Sequence, residues 1–112
     1  MLFSISADYT PAALVAMRNN PSASRREAVS QLVEAAGGKV VEMYGTVRNG
    51  PGAMLIIDVS DPQAASIISG VIKSSGAVEN VQMNRLLVMD EIVQIRTKAA
   101  EIAGSYKSPG QQ

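Results

Sequence analysis

Six side chains of this 112-residue sequence have the chemistry and placement to bind a ligand. Glu42 and Arg85 each lie in the middle of a strand-like segment, where a charged side chain is rare unless it reaches solvent, a partner or a ligand. An arginine at such a position can hold a carboxylate through two parallel hydrogen bonds. A tyrosine hydroxyl nearby can donate to an acidic or phenolic ligand. The complete set of predicted ligand-binding residues is Ser4, Ser6, Glu42, Tyr44, Asp58 and Arg85.

Four of these residues, Glu42, Tyr44, Asp58 and Arg85, also have a structural interpretation. Glu42 and Arg85 can form a salt bridge at the rim of a subunit contact, and a buried tyrosine commonly donates its hydroxyl to a backbone carbonyl. Asp58 follows an apolar run, so it can act as a carboxylate base at a pocket edge or simply be a solvent-exposed polar residue at the end of a strand. Arg25 and Arg26 lie in the first turn of a predicted helix, where the helix dipole disfavours them. That pair indicates either contact with an acidic surface or two solvated side chains.

The chain contains neither histidine nor cysteine, and this excludes several classes of chemistry. Thiolate nucleophiles, Ser-His triads and histidine proton relays cannot form within one chain. Zinc, copper and haem sites lose their usual ligands. We therefore expect no metal and no cofactor. Acid-base chemistry would depend on Asp, Glu, Lys or Tyr.

The charge balance argues against two kinds of partner. Ten basic and ten acidic residues cancel, so the chain lacks the basic field that attracts nucleic acid, and no polybasic run accompanies an apolar helix at a membrane. No apolar stretch approaches the roughly 20 residues of a membrane span. Without a secretory leader or cysteines for disulfides, the chain is expected in the cytoplasm.

Hydrophobic periodicity predicts a strand, a helix pair, two strands, a helix, a strand and a final helix. The predicted strands cover residues 2–9, 39–47, 53–59 and 77–89. The predicted helices cover residues 10–20, 24–36, 61–76 and 91–104. Residues 1–90 form one predicted domain, 91–104 an added amphipathic helix, and 105–112 a disordered tail.

A glycine-rich segment, "YGTVRNGPGAMLIIDV", joins the second and third strands. It lacks the Lys and Ser or Thr of a phosphate-binding loop, and a strand follows it instead of a helix. A hairpin is therefore predicted, with Asn49-Gly50 suited to a type I′ turn and Pro51-Gly52 to a type II turn. Gly45 is predicted to mark a bulge or a close backbone approach.

The βαββαβ order with a central hairpin is that of the ferredoxin-like α+β fold. This topology predicts an antiparallel sheet of order 4-1-3-2 with both main helices on one face. The other face would be too apolar to remain in water, and two chains closing on each other as a dimeric α/β barrel would cover it. The residues predicted on that open face are Ser4, Ser6, Tyr44, Met54, Ile56, Met83 and Leu87.

Three segments resemble the GYD domain, a bacterial family of dimeric α/β-barrel, ferredoxin-like proteins. They are "EAAGGKVVEMYGTV", "AMLIIDVSDPQAA" and "VQMNRLLVMDE", and the resemblance extends from Leu2 to about Glu91. Where the family carries Gly-Tyr-Asp, this chain has Gly50-Pro51-Gly52-Ala53, so whatever that tyrosine and aspartate do is not available here. The resemblance implies the fold and a homo-oligomer, and the family has no settled biochemical role.

Three classes of function follow. The first is a module that binds or senses a small apolar or phenolic molecule, in a pocket between sheet and helices or inside the barrel. The second is a cofactor-independent monooxygenase or isomerase, which the fold suggests only by analogy. The third is a structural or regulatory oligomer without a ligand.

Overall fold

The computed structural model describes residues 1–110, and these form a four-stranded sheet with four α-helices. The strands are β1 (Leu2–Tyr9), β2 (Lys39–Val47), β3 (Pro51–Asp58) and β4 (Val78–Leu86). The helices are α1 (Pro11–Asn19), α2 (Arg25–Ala35), α3 (Pro62–Ser74) and α4 (Met89–Ile102), and a short 3₁₀ turn covers Ala103–Ser105. Gln111 and Gln112, the end of the predicted tail, lie outside the described residues.

The sheet order is β2-β3-β1-β4, with every neighbouring pair antiparallel. This is the predicted 4-1-3-2 order counted from the other edge, so the α+β, ferredoxin-like fold is confirmed. Within one chain the sheet is open, with β2 and β4 as its edges, and does not close into a barrel.

Helix starts follow the capping signals of the sequence. The Thr10 hydroxyl accepts a hydrogen bond from the Ala13 amide, and the Ser24 hydroxyl accepts one from the Glu27 amide. Asp61 accepts from the Gln63 amide at the start of α3. Each cap satisfies an amide that the first helical turn leaves without a backbone partner, which explains why these boundaries were predictable.

The core lies between one face of the sheet and the helices α2 and α3. Its fully buried side chains come from the two central strands and both helices, and Val33 of α2 contacts the same cluster as Ile68 of α3. Gly37, with φ of 87°, turns the chain after α2, as a left-handed helix stop requires. The buried apolar residues are Phe3, Ile5, Ala7, Val33, Leu55, Ile57, Val59, Ala64, Ala65 and Ile68.

The hairpin between β2 and β3 is present, but its predicted turn types are wrong. A type I′ turn requires positive φ at both central residues and a type II turn at the second, whereas neither Asn49, Gly50 nor Gly52 has positive φ. Gly52 is instead buried within β3, where an added Cβ would collide with the Ala7 carbonyl oxygen. The prediction for Gly45 is also wrong. A Cβ added there would meet open space, and the irregularity of β2 lies between Val40 and Glu42.

The register between β1 and β4 overturns part of the predicted open face. Arg85 pairs with Phe3 and Met83 pairs with Ile5. Directly paired residues of antiparallel strands project to the same side, so both lie on the helix-covered face, opposite Ser4 and Ser6. An irregularity near Asn80, whose φ is 56°, shifts the register, and a one-residue shift exchanges the two faces of a strand. Leu87 lies beyond the end of β4.

Helix α4 projects from this body. The radius of gyration is 18.3 Å and the longest dimension 61 Å, whereas a compact chain of about 100 residues has a radius near 13 Å. No residue of α4 is buried by the rest of the described chain. Its apolar side chains therefore have little intrachain packing.

Candidate functional site

A cavity of about 170 Å³ lies between the sheet and the helices α2 and α3. The floor is formed by β1, β2 and β3, and the walls come from the first turns of α2 and the last turns of α3. All but three of its lining residues are apolar, and they include Ile5, Leu32, Met43 and Leu55. An apolar cavity of this kind suits the body of a small hydrophobic molecule.

Three polar residues line the cavity, namely Tyr9, Arg25 and Ser75. The Ser75 hydroxyl is already engaged, since it donates to the Ile72 carbonyl at 2.6 Å and accepts from the Ala77 amide at 3.1 Å. The Tyr9 hydroxyl and the Arg25 guanidinium have no hydrogen-bond or ion-pair partner among residues 1–110. Arg25 is exposed to solvent, and Tyr9 is half-buried.

Tyr9 and Arg25 lie at one end of the cavity. Both also line the adjoining groove beneath α1, together with Ala13 and Met17. Tyr9 is the last residue of β1 and Arg25 is the first of α2, so the end of a strand and the start of a helix bring the two side chains to the same boundary. A tyrosine and an arginine therefore line the cavity at this boundary.

The predicted site residues lie elsewhere. Ser4, Ser6 and Tyr44 are on the open face of the sheet, where Ser4 pairs with Ile56 and Tyr44 with Met54. The two serines are half-buried and Tyr44 is exposed. This face is opposite the cavity.

The predicted charged residues occupy three separate positions. Glu42 on the edge strand β2 pairs with Arg26 of α2 at 3.3 Å. Arg85 pairs with Glu91 of α4 at 3.5 Å, so it does not join Glu42 around Tyr44. Both ion pairs are substantially exposed and contribute little to stability.

Asp58, at the end of β3, lies in a shallow depression shared with Gly38 and Lys39. Its carboxylate accepts a hydrogen bond from the Met1 ammonium at 3.1 Å. The same ammonium donates to the Val59 carbonyl at 2.8 Å. This site is separate from the cavity, which does not include Asp58.

A polar cluster at the far end of the sheet was not predicted. The Asp8 carboxylate is 17% exposed and accepts from Arg48 at 3.4 Å. It also accepts from the side-chain amide of Asn80 at 3.1 Å. Because these contacts join β1, the hairpin turn and the β4 irregularity, they fix the end of the sheet.

Among residues 1–110, no group of three or more acidic side chains is arranged to hold a metal ion. Within the same residues, no helix has the length and apolar character needed to cross a bilayer.

The sequence did not indicate that Tyr9 and Arg25 line a common cavity. One feature of the sequence pointed to this region: two adjacent arginines, Arg25 and Arg26, begin α2, although the helix dipole disfavours positive charge there. Arg26 is compensated by Glu42. The cavity itself has no signature in the sequence, since its apolar residues follow the same periodicity as the core.

A family model for the GYD domain matches residues 3–95 of the chain. The chain belongs to the GYD domain family. The match covers all four strands and α1 to α3 and ends within α4. The resemblance places Gly50-Pro51-Gly52-Ala53 where the family carries its tripeptide. This segment lies at the hairpin and the start of β3, and of its residues only Ala53 lines the cavity.

No curated protein matches the chain. Among solved structures, a homoserine dehydrogenase from Thiobacillus denitrificans is similar over 77% of this chain, with a TM-score of 0.52 and 12% identity. The GYD protein spans only 17% of that enzyme, so the likeness concerns the fold alone. A dimeric ferredoxin-like protein from an uncultured marine organism aligns over 78% of this chain and 92% of its own, with 13% identity and a TM-score of 0.38.

Proposed function

We propose that this GYD protein is a small-molecule binding or sensing module whose ligand occupies the cavity between the sheet and the helices α2 and α3. The carrying observation is an apolar cavity of about 170 Å³ with two unpartnered polar groups at one end. An apolar cavity of about 150 Å³ in another protein binds benzene. The size therefore fits a ligand body of one aromatic ring or a short branched chain.

Binding is proposed ahead of catalysis because of the residues that line the cavity. A cofactor-independent monooxygenase or isomerase requires a group that moves a proton near the substrate. None of the described cavity-lining residues is Asp, Glu or Lys. Tyr9 is the lining residue with a titratable hydroxyl.

The open face of the sheet is the second proposed ligand surface. Ser4, Ser6 and Tyr44 lie on it, with Glu42 at its edge. Arg85 and Asp58 would act separately, since each is paired elsewhere. A ligand here would be enclosed only when a second chain covers the face.

The proposal includes a homodimer that covers the open face as a two-chain barrel, with α4 lying across the partner. The chain exposes 7721 Å², about 1,800 Å² more than the roughly 5,900 Å² of a compact monomer of this size. A standard interface buries about 800 Å² on each partner, so the excess is large enough for a stable contact. This surface also supports the alternative of a structural or regulatory oligomer. The cytoplasm is the proposed location, since the chain has no cysteine.

The cavity proposal is tested with toluene and Ala53→Leu, which extends the sheet floor into the cavity. Binding is followed by NMR shifts of the methyl groups of Ile5 and Leu32. We expect saturable binding to the unmodified protein and at least about tenfold weaker binding to the variant, because the added side chain occupies the ligand volume.

The matched control is Ala12→Leu on the exposed side of α1, away from the cavity. It should bind toluene as the unmodified chain does. Absence of saturable shifts in the unmodified protein, or equal binding by all three proteins, would refute the cavity as a ligand site.

A further inference from the structure

We propose that the ligand of this cavity is a small monocarboxylate with an apolar body, held by Arg25 at the cavity mouth. This inference rests on the proposed function and adds the chemical class of the ligand. The body would fill the apolar cavity, and the carboxylate would lie at the boundary with the groove beneath α1, which Arg25 and Tyr9 both line.

The two neighbouring arginines of α2 differ in a way that supports this assignment. Both begin a helix, where the dipole disfavours a positive charge. Arg26 is compensated by Glu42 at 3.3 Å, whereas Arg25 has no anionic partner among residues 1–110. The Arg25 side chain is exposed to solvent, so it can bind a carboxylate at the cavity mouth without breaking an existing ion pair.

The charge of the cavity lining selects an anion over a cation. Arg25 is its one charged residue among those described, and no lining carboxylate opposes a negative head group. The planar guanidinium matches a carboxylate with two parallel hydrogen bonds. The free Tyr9 hydroxyl can donate a third hydrogen bond to the same head group.

The cavity also limits the size of the ligand. A volume of about 170 Å³ holds one ring or a branched chain of similar bulk. Larger polycyclic bodies would require displacement of Leu32, Met43 or Leu55, which belong to or pack against the core. Benzoate, with one ring and one carboxylate, is therefore the probe of choice.

The test compares benzoate with toluene, which has the same ring and a methyl group in place of the carboxylate. Dissociation constants are measured by NMR titration for the unmodified protein, Arg25→Gln and Arg26→Gln. Arg26→Gln is the matched control because it removes the same charge one residue away, from a side chain that does not line the cavity.

We expect Arg25→Gln to weaken benzoate binding about tenfold, the range of a partly solvated hydrogen-bonded ion pair, and to leave toluene binding unchanged. Arg26→Gln should change neither. Tyr9→Phe should weaken benzoate alone, by a few-fold. Unchanged toluene binding also shows that each variant is folded with its cavity intact.

The outcomes separate the two proposals. Toluene binding with benzoate affinity that is the same in the unmodified protein and Arg25→Gln would overturn the carboxylate assignment and leave the cavity site standing. Equal weakening by Arg25→Gln and Arg26→Gln would also overturn it, because the effect would then be general electrostatics. If neither probe binds the unmodified protein, the cavity proposal itself fails.

Discussion

The helices α3 and α4 have similar apolar patterns and very different surroundings. In α3, Ala65 and Ile68 are completely buried against the sheet. In α4, Ile92, Ile95 and Ile102 recur at helical spacing, yet none of them is buried by the described chain. Amphipathic periodicity therefore predicts a helix with one apolar side but does not indicate what covers that side.

The largest expected difference is in the free energy of unfolding. Ile68→Ala should lower it by about 2–5 kcal/mol, because the truncated side chain leaves a cavity in a packed core. Ile95 in α4 is 54% exposed, so Ile95→Ala should lower the free energy of unfolding by less than about 1 kcal/mol. Urea denaturation checks both at a dilution where the chain is monomeric. Similar losses would mean that α4 packs within its own chain.

In the proposed homodimer, replacing Ile92, Ile95 and Ile102 together by Ser should weaken dimerisation by at least about 100-fold, because three apolar side chains would lose their burial against the partner. Sedimentation equilibrium measures the dimer dissociation constant. The control replaces Gln94, Thr97 and Glu101 by Ser, on the opposite side of α4, and should leave that constant unchanged. If the triple Ile variant dimerises as tightly as the control, α4 is not part of the interface.

Gly52→Ala should lower the unfolding free energy by about 1–3 kcal/mol, because the new Cβ would collide with the Ala7 carbonyl and force β1 and β3 apart. Gly45→Ala is the matched substitution in β2, where no atom lies within 4 Å of the added Cβ. Urea denaturation should leave Gly45→Ala within about 0.5 kcal/mol of the unmodified chain. Equal effects would contradict the close approach of the strands at Gly52.

The smallest effect is expected at the sheet edge. Glu42→Gln should change stability by less than about 0.5 kcal/mol, because its ion pair with Arg26 is half exposed and screened by salt. Thermal melts in low and high salt provide the measurement. A larger loss that persists in high salt would show that the pair is shielded, for instance by a second chain.

Much of the fold was predictable because its signals are local. Thr10, Ser24 and Asp61 cap helices through amides two or three residues away. Alternation in β1 correctly placed Phe3 and Ile5 on the buried side. The hairpin was correctly located by its glycines and proline, while its turn types were not, because Gly52 serves strand packing instead of a positive φ.

The candidate site was less predictable because it depends on how distant segments align. Arg85 lies on the helix-covered face of β4, because it pairs with Phe3. It is also distant from Tyr44, because β4 and β2 are the opposite edges of the sheet. Arg25 was recognised as electrostatically unfavourable. The position of Glu42 on the edge strand allows it to pair with Arg26 and leaves Arg25 without an ion-pair partner.

The order of strands and helices, the helix starts and the chemistry that a chain without histidine or cysteine cannot perform all followed from the sequence alone. Those properties depend on composition and on contacts within a few residues. Long-range pairing set which side of β4 carries Arg85 and which helix remains uncovered, and it brought Tyr9 and Arg25 to the lining of one apolar cavity. Those features arise from pairing between residues far apart in the chain, where a shift of one residue exchanges the two faces of a strand.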